Sequence, residues 1–135
     1  MSPVTSSVTV IGNITKTPTL RSTSSGKQVT NFNVAENKHW TNPHTHQEER
    51  RTAFYSVTAW DSLAENICES LKTGDRVIIY GRLDMDSWTP PDSDESRNKV
   101  KIVAHDVGPA MRWANVDIFR NGQDDHADEE YDDED

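Results

Sequence analysis

The sequence holds a single cysteine, Cys68, so no intramolecular disulfide can form. A lone thiol fits a reducing compartment. Long apolar runs are missing too: Val77 to Tyr80 is typical of the longest, far short of a membrane span. The start, Met1-Ser2-Pro3-Val4, has neither a basic nor an apolar stretch, so no secretory leader is expected. These absences together predict a soluble, cytoplasmic protein. Asn13-Ile14-Thr15 matches a glycosylation sequon, a chance hit in a chain that is never secreted. Apolar residues make up 33% of the chain, so only part of its 135 residues can be packed core, enough for about one domain.

An excess of positive charge is also lacking. The formal charge is −9, but it is placed unevenly. Asp124 to Asp135 holds nine acidic residues and no Lys or Arg, whereas residues 1–120 hold 14 acidic and 14 basic residues. The protein is a neutral body with an acidic tail, so its overall charge says little about the partners of the body. After about Asn121 only Ala127 and Tyr131 are apolar, and residues 121–135 are expected to be a disordered tail behind a domain of residues 1–120.

What the chain does have is a run of β-branched and aromatic residues without Gly or Pro, from Arg51 to Trp60. It reads as a strand. Side chains alternate along a strand, so Tyr55, Val57 and Ala59 form a core face. The other face carries Phe54, Ser56, Thr58 and Trp60. Two large rings separated by hydroxyls suit the stacking of unpaired nucleobases; the plain alternative is that both rings pack under neighbouring loops.

Further strands are expected at Val8 to Ile14, at Gln28 to Glu36, at Asp75 to Asp84 and at Asn98 to Val107, with a short extended piece at Pro18 to Arg21. Gly12 and Gly81 each mark a bulge or bend. Val77, Ile79 and Leu83 on one strand, and Val100, Ile102 and Ala104 on another, are expected to point inward. Ser22 to Gly26 is a turn; Ser25-Gly26-Lys27 lacks the upstream glycine of a phosphate loop. Asn37 to Arg50 has no periodicity and contains Pro43, so a long loop is expected there, and another at Met85 to Arg97. Between the third and fourth strands lies a helix, with Leu63, Ala64, Ile67, Cys68 and Leu71 on one apolar stripe. Ser62 and Glu65 have capping-box spacing, Asp61 is an alternative cap, Lys72 falls in the last turn and Gly74 at the stop. Five strands with one helix in this order predict a small barrel of the OB type, all-β but for that helix.

The order and spacing of several short segments carry a resemblance. These are Val10-Ile11-Gly12-Asn13, Val29 to Ala35, Phe54 to Trp60, Leu63-Ala64-Glu65, Gly74-Asp75-Arg76-Val77, Gly81-Arg82-Leu83 and Val107-Gly108-Pro109. Over residues 6 to 113 the chain resembles the bacterial-type single-stranded DNA-binding protein family. The resemblance implies an OB barrel, a homotetramer, no cofactor, no catalysis, and a part in DNA replication, recombination or repair near the nucleoid. Trp40, Phe54, Trp60 and Trp88 fall where family members carry base-stacking aromatics. A stacked base is worth ~1–3 kcal/mol. Candidate phosphate partners are Arg21, Lys27, Lys38, Arg50, Arg51, Lys99 and Lys101, each adding roughly 0.7 to the salt slope of single-strand binding.

Two departures stand out. Family members usually approach the Trp88 position with basic residues; here Asp84 and Asp86 stand there. The family's acidic tail also ends in a short apolar tip that docks replication and repair proteins, and Tyr131 to Asp135 has no such tip. An OB-fold protein-interaction module, or a specialised paralogue with weak DNA affinity, is therefore an open alternative, as is single-stranded RNA as the ligand. An enzyme is not expected: Cys68 lies on the apolar stripe and no motif joins it to a base. His44 and His46 invite a metal, but nothing nearby completes a tetrahedral set.

Overall fold

Gly12 is where the barrel closes. The first strand, β1 (Ser7–Ile14), and the third, β3 (Gln28–Thr41), cross so closely there that a Cβ on Gly12 would meet the Ala35 carbonyl oxygen at 2.7 Å. The computed structural model describes residues 6–122 apart from 90, 93 and 96, with backbone alone at 86–88 and 97–99. Its remaining elements are β2 (Leu20–Ser22), β4 (Glu48–Trp60), α1 (Asp61–Ser70), β5 (Arg76–Trp88) and β6 (Arg97–Pro109). The sheet order is β1-β5-β6-β4-β3, closed by β1 returning to β3 at Asn13↔Ala35 and Ile14↔Val34. β4 and β6 run parallel; the other pairs are antiparallel. The short β2 is an outrigger on β3. This is the expected five-stranded OB-type barrel.

Alternation fills the barrel. Phe32 and Val34 from β3, Val57 and Ala59 from β4, and Ile79 from β5 are buried together. Ala64, Ile67 and Leu71 from the helix join the same core. The helix begins without the expected capping box: Trp60 is the N-cap residue and no side chain bonds the first turn. Asp61 already lies inside the first turn, at φ +60, which places Ser62 too far along the helix to cap it. The helix also stops earlier than expected. Leu71 is extended, though its N–H still donates to the Ile67 carbonyl, so Lys72 falls outside the last turn. Gly74, at φ +92, serves a tight turn in which Asp75 N–H donates to Lys72 O, and Lys72 N–H donates to the Asp75 carboxylate. Glycine suits that left-handed position.

Strand runs into both expected long loops, taking most of the first and the ends of the second. β3 and β4 pair without a break from Val29↔Trp60 to Thr41↔Glu48, so the true loop is only 42–47. Asn42 organises that loop, accepting N–H bonds from His44 and Thr45 on its Oδ1 and donating to Glu49 at 2.6 Å. β5 and β6 likewise pair out to Trp88↔Arg97. An arm in solvent on both faces buries no apolar stripe, so it has no period to read. The same overrun corrects two expected core positions. Leu83 and Val100 lie on strands that have run past the end of the barrel, where they are 42% and 54% exposed. At the barrel's rim, Tyr80 pairs with Asp106 and Gly81 with Ala104, so His105 is the extra residue of a bulge. A Cβ on Gly81 would collide with the Val103 carbonyl oxygen and press on Ala104 Cα at 3.0 Å.

The contact at Gly81 gives a test. Gly81→Ala is expected to cost about 1–3 kcal/mol of stability, the range of overpacking in a site that cannot yield. Gly108→Ala, with open space around its would-be Cβ, should stay within about 0.5 kcal/mol. Urea unfolding midpoints of the two variants check the contrast.

Candidate nucleic-acid interface

The unbroken β3–β4 register decides which side chains share a face. Directly paired residues point the same way, and successive residues point oppositely. Outward from the barrel stand Asn31, Asn33, Asn37 and His39 on β3, with Thr58, Ser56, Thr52 and Arg50 opposite them. Phe54 lies in the same row, opposite Ala35, and Trp60 at its end, opposite Val29. Arg21 joins this side because it pairs with Val29. β6 adds Lys101, one step before the Val57↔Ile102 contact. Arg21 and Lys101 flank a cleft of about 430 Å³ whose floor is Asn31, Asn33, Ser56 and Thr58.

Phe54 is 70% exposed and Trp60 39%. Neither is sealed under a loop. Leaving a Phe ring so open forfeits roughly 1.5–3 kcal/mol of burial, so packing does not explain its place. The hydroxyl face around it is polar, and its hydroxyls are hydrogen-bonded. Thr58 Oγ1 donates to Asn31 Oδ1 at 2.7 Å, Ser56 Oγ to Asn33 Oδ1 at 3.1 Å, and Thr52 Oγ1 to Asn37 Oδ1 at 2.8 Å. The three asparagines were not among the sequence candidates. Their signal was available as the polar half of the Asn31-Phe32-Asn33-Val34 alternation.

The other side of the arm carries a second group. Trp40 is 41% exposed, opposite Glu49, and Lys38 pairs with Arg51. These three candidates share parity with Val34 and Tyr55, so they face away from Phe54. Glu36 ties this side together: it accepts a bond from Tyr55 Oη at 3.2 Å and lies 3.8 Å from Lys38 Nζ. Burial, then the bond to Glu36 and its charge, hold the Tyr55 hydroxyl protonated above its ordinary range. Two like charges at Lys38↔Arg51 repel, and Glu36 offsets part of that cost. Lys27 sits in the turn before β3, where its N–H donates to Thr23 Oγ1. The side chains of Trp88 and Lys99 lie outside the described residues. The backbone register nevertheless sets Asp84 opposite Lys101 and Asp86 opposite Lys99, so each carboxylate that stood out in the sequence has a lysine for its cross-strand neighbour.

Cys68 is a half-buried free thiol on α1, and the His105 ring lies against Tyr80 at 5.6 Å. Among the described residues no three metal-capable side chains converge, and no helix is long and apolar enough to cross a membrane.

An open ring beside a cationic cleft on an OB barrel can be set against known proteins. The single-strand binding protein family matches residues 5–110. The chain belongs to that family. It is 40% identical over 114 residues to a single-stranded DNA-binding protein of Corynebacterium glutamicum, covering 84% of this chain and 50% of that one. It is 36% identical to one of Paenarthrobacter aurescens, covering 84% and 66%. The chain thus spans between half and two thirds of the length of these curated relatives. The fold is similar to a Plasmodium falciparum single-strand binding protein in complex with single-stranded DNA, at TM-score 0.70 and 20% identity, covering 81% of this chain and 96% of that one. It is also similar to a deletion mutant of the Thermus aquaticus single-stranded DNA-binding protein, at TM-score 0.67 and 24% identity, covering 79% and 51%.

If the ring is placed for a ligand and not for the core, its loss leaves the fold alone. Phe54→Ala is expected to change stability by no more than about 0.5 kcal/mol, whereas Ile102→Ala, at a buried position, should cost about 2–5 kcal/mol. Thermal or urea unfolding of both distinguishes a structural ring from an idle one.

Proposed function

We propose that this protein binds single-stranded DNA without regard to sequence and protects exposed strands in replication, recombination or repair. The observation that carries the reading is Phe54, 70% exposed in a row that leads to the cleft between Arg21 and Lys101. A flat ring takes any base, and flanking cations take the backbone. Trp60 at the cleft's end offers a second platform, and Arg50 extends the cationic path along the arm. Trp40, Lys38 and Arg51 suit a strand that passes round the arm to its other side. Trp88 and Lys99, on the second arm, belong to the same proposal by position. The role requires binding alone, with no cofactor or metal and no chemical step.

Self-association into a homotetramer is part of the proposal. On the outer face of β1 and β5, Ile11 pairs with Ile78 and Thr9 with Tyr80, and the three large side chains are 39–48% exposed. That apolar patch lies on the strands farthest from Phe54, so a second copy could cover it and leave the cleft open. The acidic run from Asp124 to Asp135 is proposed to compete with DNA for the cationic cleft. Replication or repair proteins are candidate partners of that run, and the cytoplasmic nucleoid is the proposed location. One observation favours the alternative of a protein-interaction module. The body is neutral, and the register sets an aspartate opposite each of Lys99 and Lys101.

Titration with oligothymidylate separates the two. The strand-binding reading expects saturable quenching of tryptophan fluorescence that weakens as salt rises. No quenching at low salt leaves the interaction module. Removing residues 121–135 is expected to tighten binding at low salt, and equal affinities would rule out competition by the tail.

A further inference from the structure

The asparagine row on β3 has a regularity that packing does not require. Asn31, Asn33 and Asn37 each face a hydroxyl on β4, and in all three pairs the hydroxyl donates to the amide oxygen. An amide oxygen held in this way leaves its NH2 group as the outward, donating end. All three asparagines are exposed. Asn31 and Asn33 stand roughly 6.8 Å apart, two residues along a strand. Ala35, the small residue between Asn33 and Asn37, stands opposite Phe54 and leaves the ring clear. The row therefore reads donor, donor, ring, donor.

We infer that these three amides bind oxygen acceptors of the unpaired strand, phosphate oxygens or base carbonyls, on either side of a base stacked on Phe54. The inference rests on the strand-binding reading and adds a contact of a different kind. An amide displaces no counterion when it meets a phosphate, so it contributes affinity that salt does not erode. A neutral body gains from that, because Lys101 at the cleft has Asp84 for its cross-strand neighbour. The hydroxyls of Thr58, Ser56 and Thr52 act as positioning groups, fixing each amide with its donors outward.

The test uses the full chain, titrated with oligothymidylate at several salt concentrations. Asn31→Ala, Asn33→Ala and Asn37→Ala combined should weaken binding by at least roughly tenfold, from two- to tenfold for each lost bond. The slope of log affinity against log salt should not change, whereas Lys101→Ala should flatten it by about 0.7. Asn33→Ala and Asn37→Ala taken singly keep the measurement readable if the triple variant unfolds. An abasic oligomer of equal length, assayed by competition, identifies the acceptor. An equal loss there assigns the amides to phosphates, and a loss confined to thymine assigns them to base carbonyls. Undiminished affinity in the variants, or a loss that comes with a flatter slope, overturns the inference while leaving strand binding intact. Failure of the unsubstituted chain to bind at all removes both.

Discussion

The pairing of β3 with β4 is the constraint from which the rest follows. It runs from Val29↔Trp60 to Thr41↔Glu48 with no bulge. A single inserted residue would invert every side chain beyond it. Because none is inserted, one parity supplies the barrel core at Phe32, Val34 and Val57, and the other supplies the amides, hydroxyls and rings outside. The two functions of the ribbon, holding the fold and presenting the site, are separated by one covalent step along the chain.

Glycine settles the shape around that ribbon. At Gly12 the missing Cβ lets β1 come up against β3 while still paired with β5, which closes the ring. At Gly81 it lets β5 press against β6 beside the His105 bulge, and beyond the β4–β6 contact at Val57↔Ile102 the two strands continue as a second arm. The two arms therefore depart from a rim fixed by backbone contact. Their charges are arranged by cross-strand neighbours. Glu36 sits beside Lys38, Asp84 opposite Lys101 and Asp86 opposite Lys99. Lys38 and Lys101 thus each have an acidic residue for a neighbour.

Legibility varied with the period of the pattern. The strands of the barrel could be read because one face is apolar, as at Val77 and Ile79, and the helix because Ala64, Ile67 and Leu71 fall on one stripe. Phe54 could be singled out because an aromatic on a hydroxyl face breaks that pattern. Residues 37–41 and 48–50 could not be read as strand, since both faces meet water and either kind of residue serves. The capping box at Ser62 and Glu65 was a correct local pattern without the geometry to use it: the strand runs straight into Asp61, so the helix starts before the serine can cap it.

The sequence by itself determined the OB barrel, its single helix, the neutral body with an acidic tail, and that Phe54 and Trp60 share the hydroxyl face of their strand. Each of these depends on local period or composition, which are properties of neighbouring residues. Tertiary structure alone decided that Trp40, Lys38 and Arg51 turn away from Phe54, that Arg21 and Lys101 meet across one cleft, and that three asparagines are held by three hydroxyls. Those relations join residues far apart in the chain. They depend on which strand lies beside which and in what register, and no single segment carries that information.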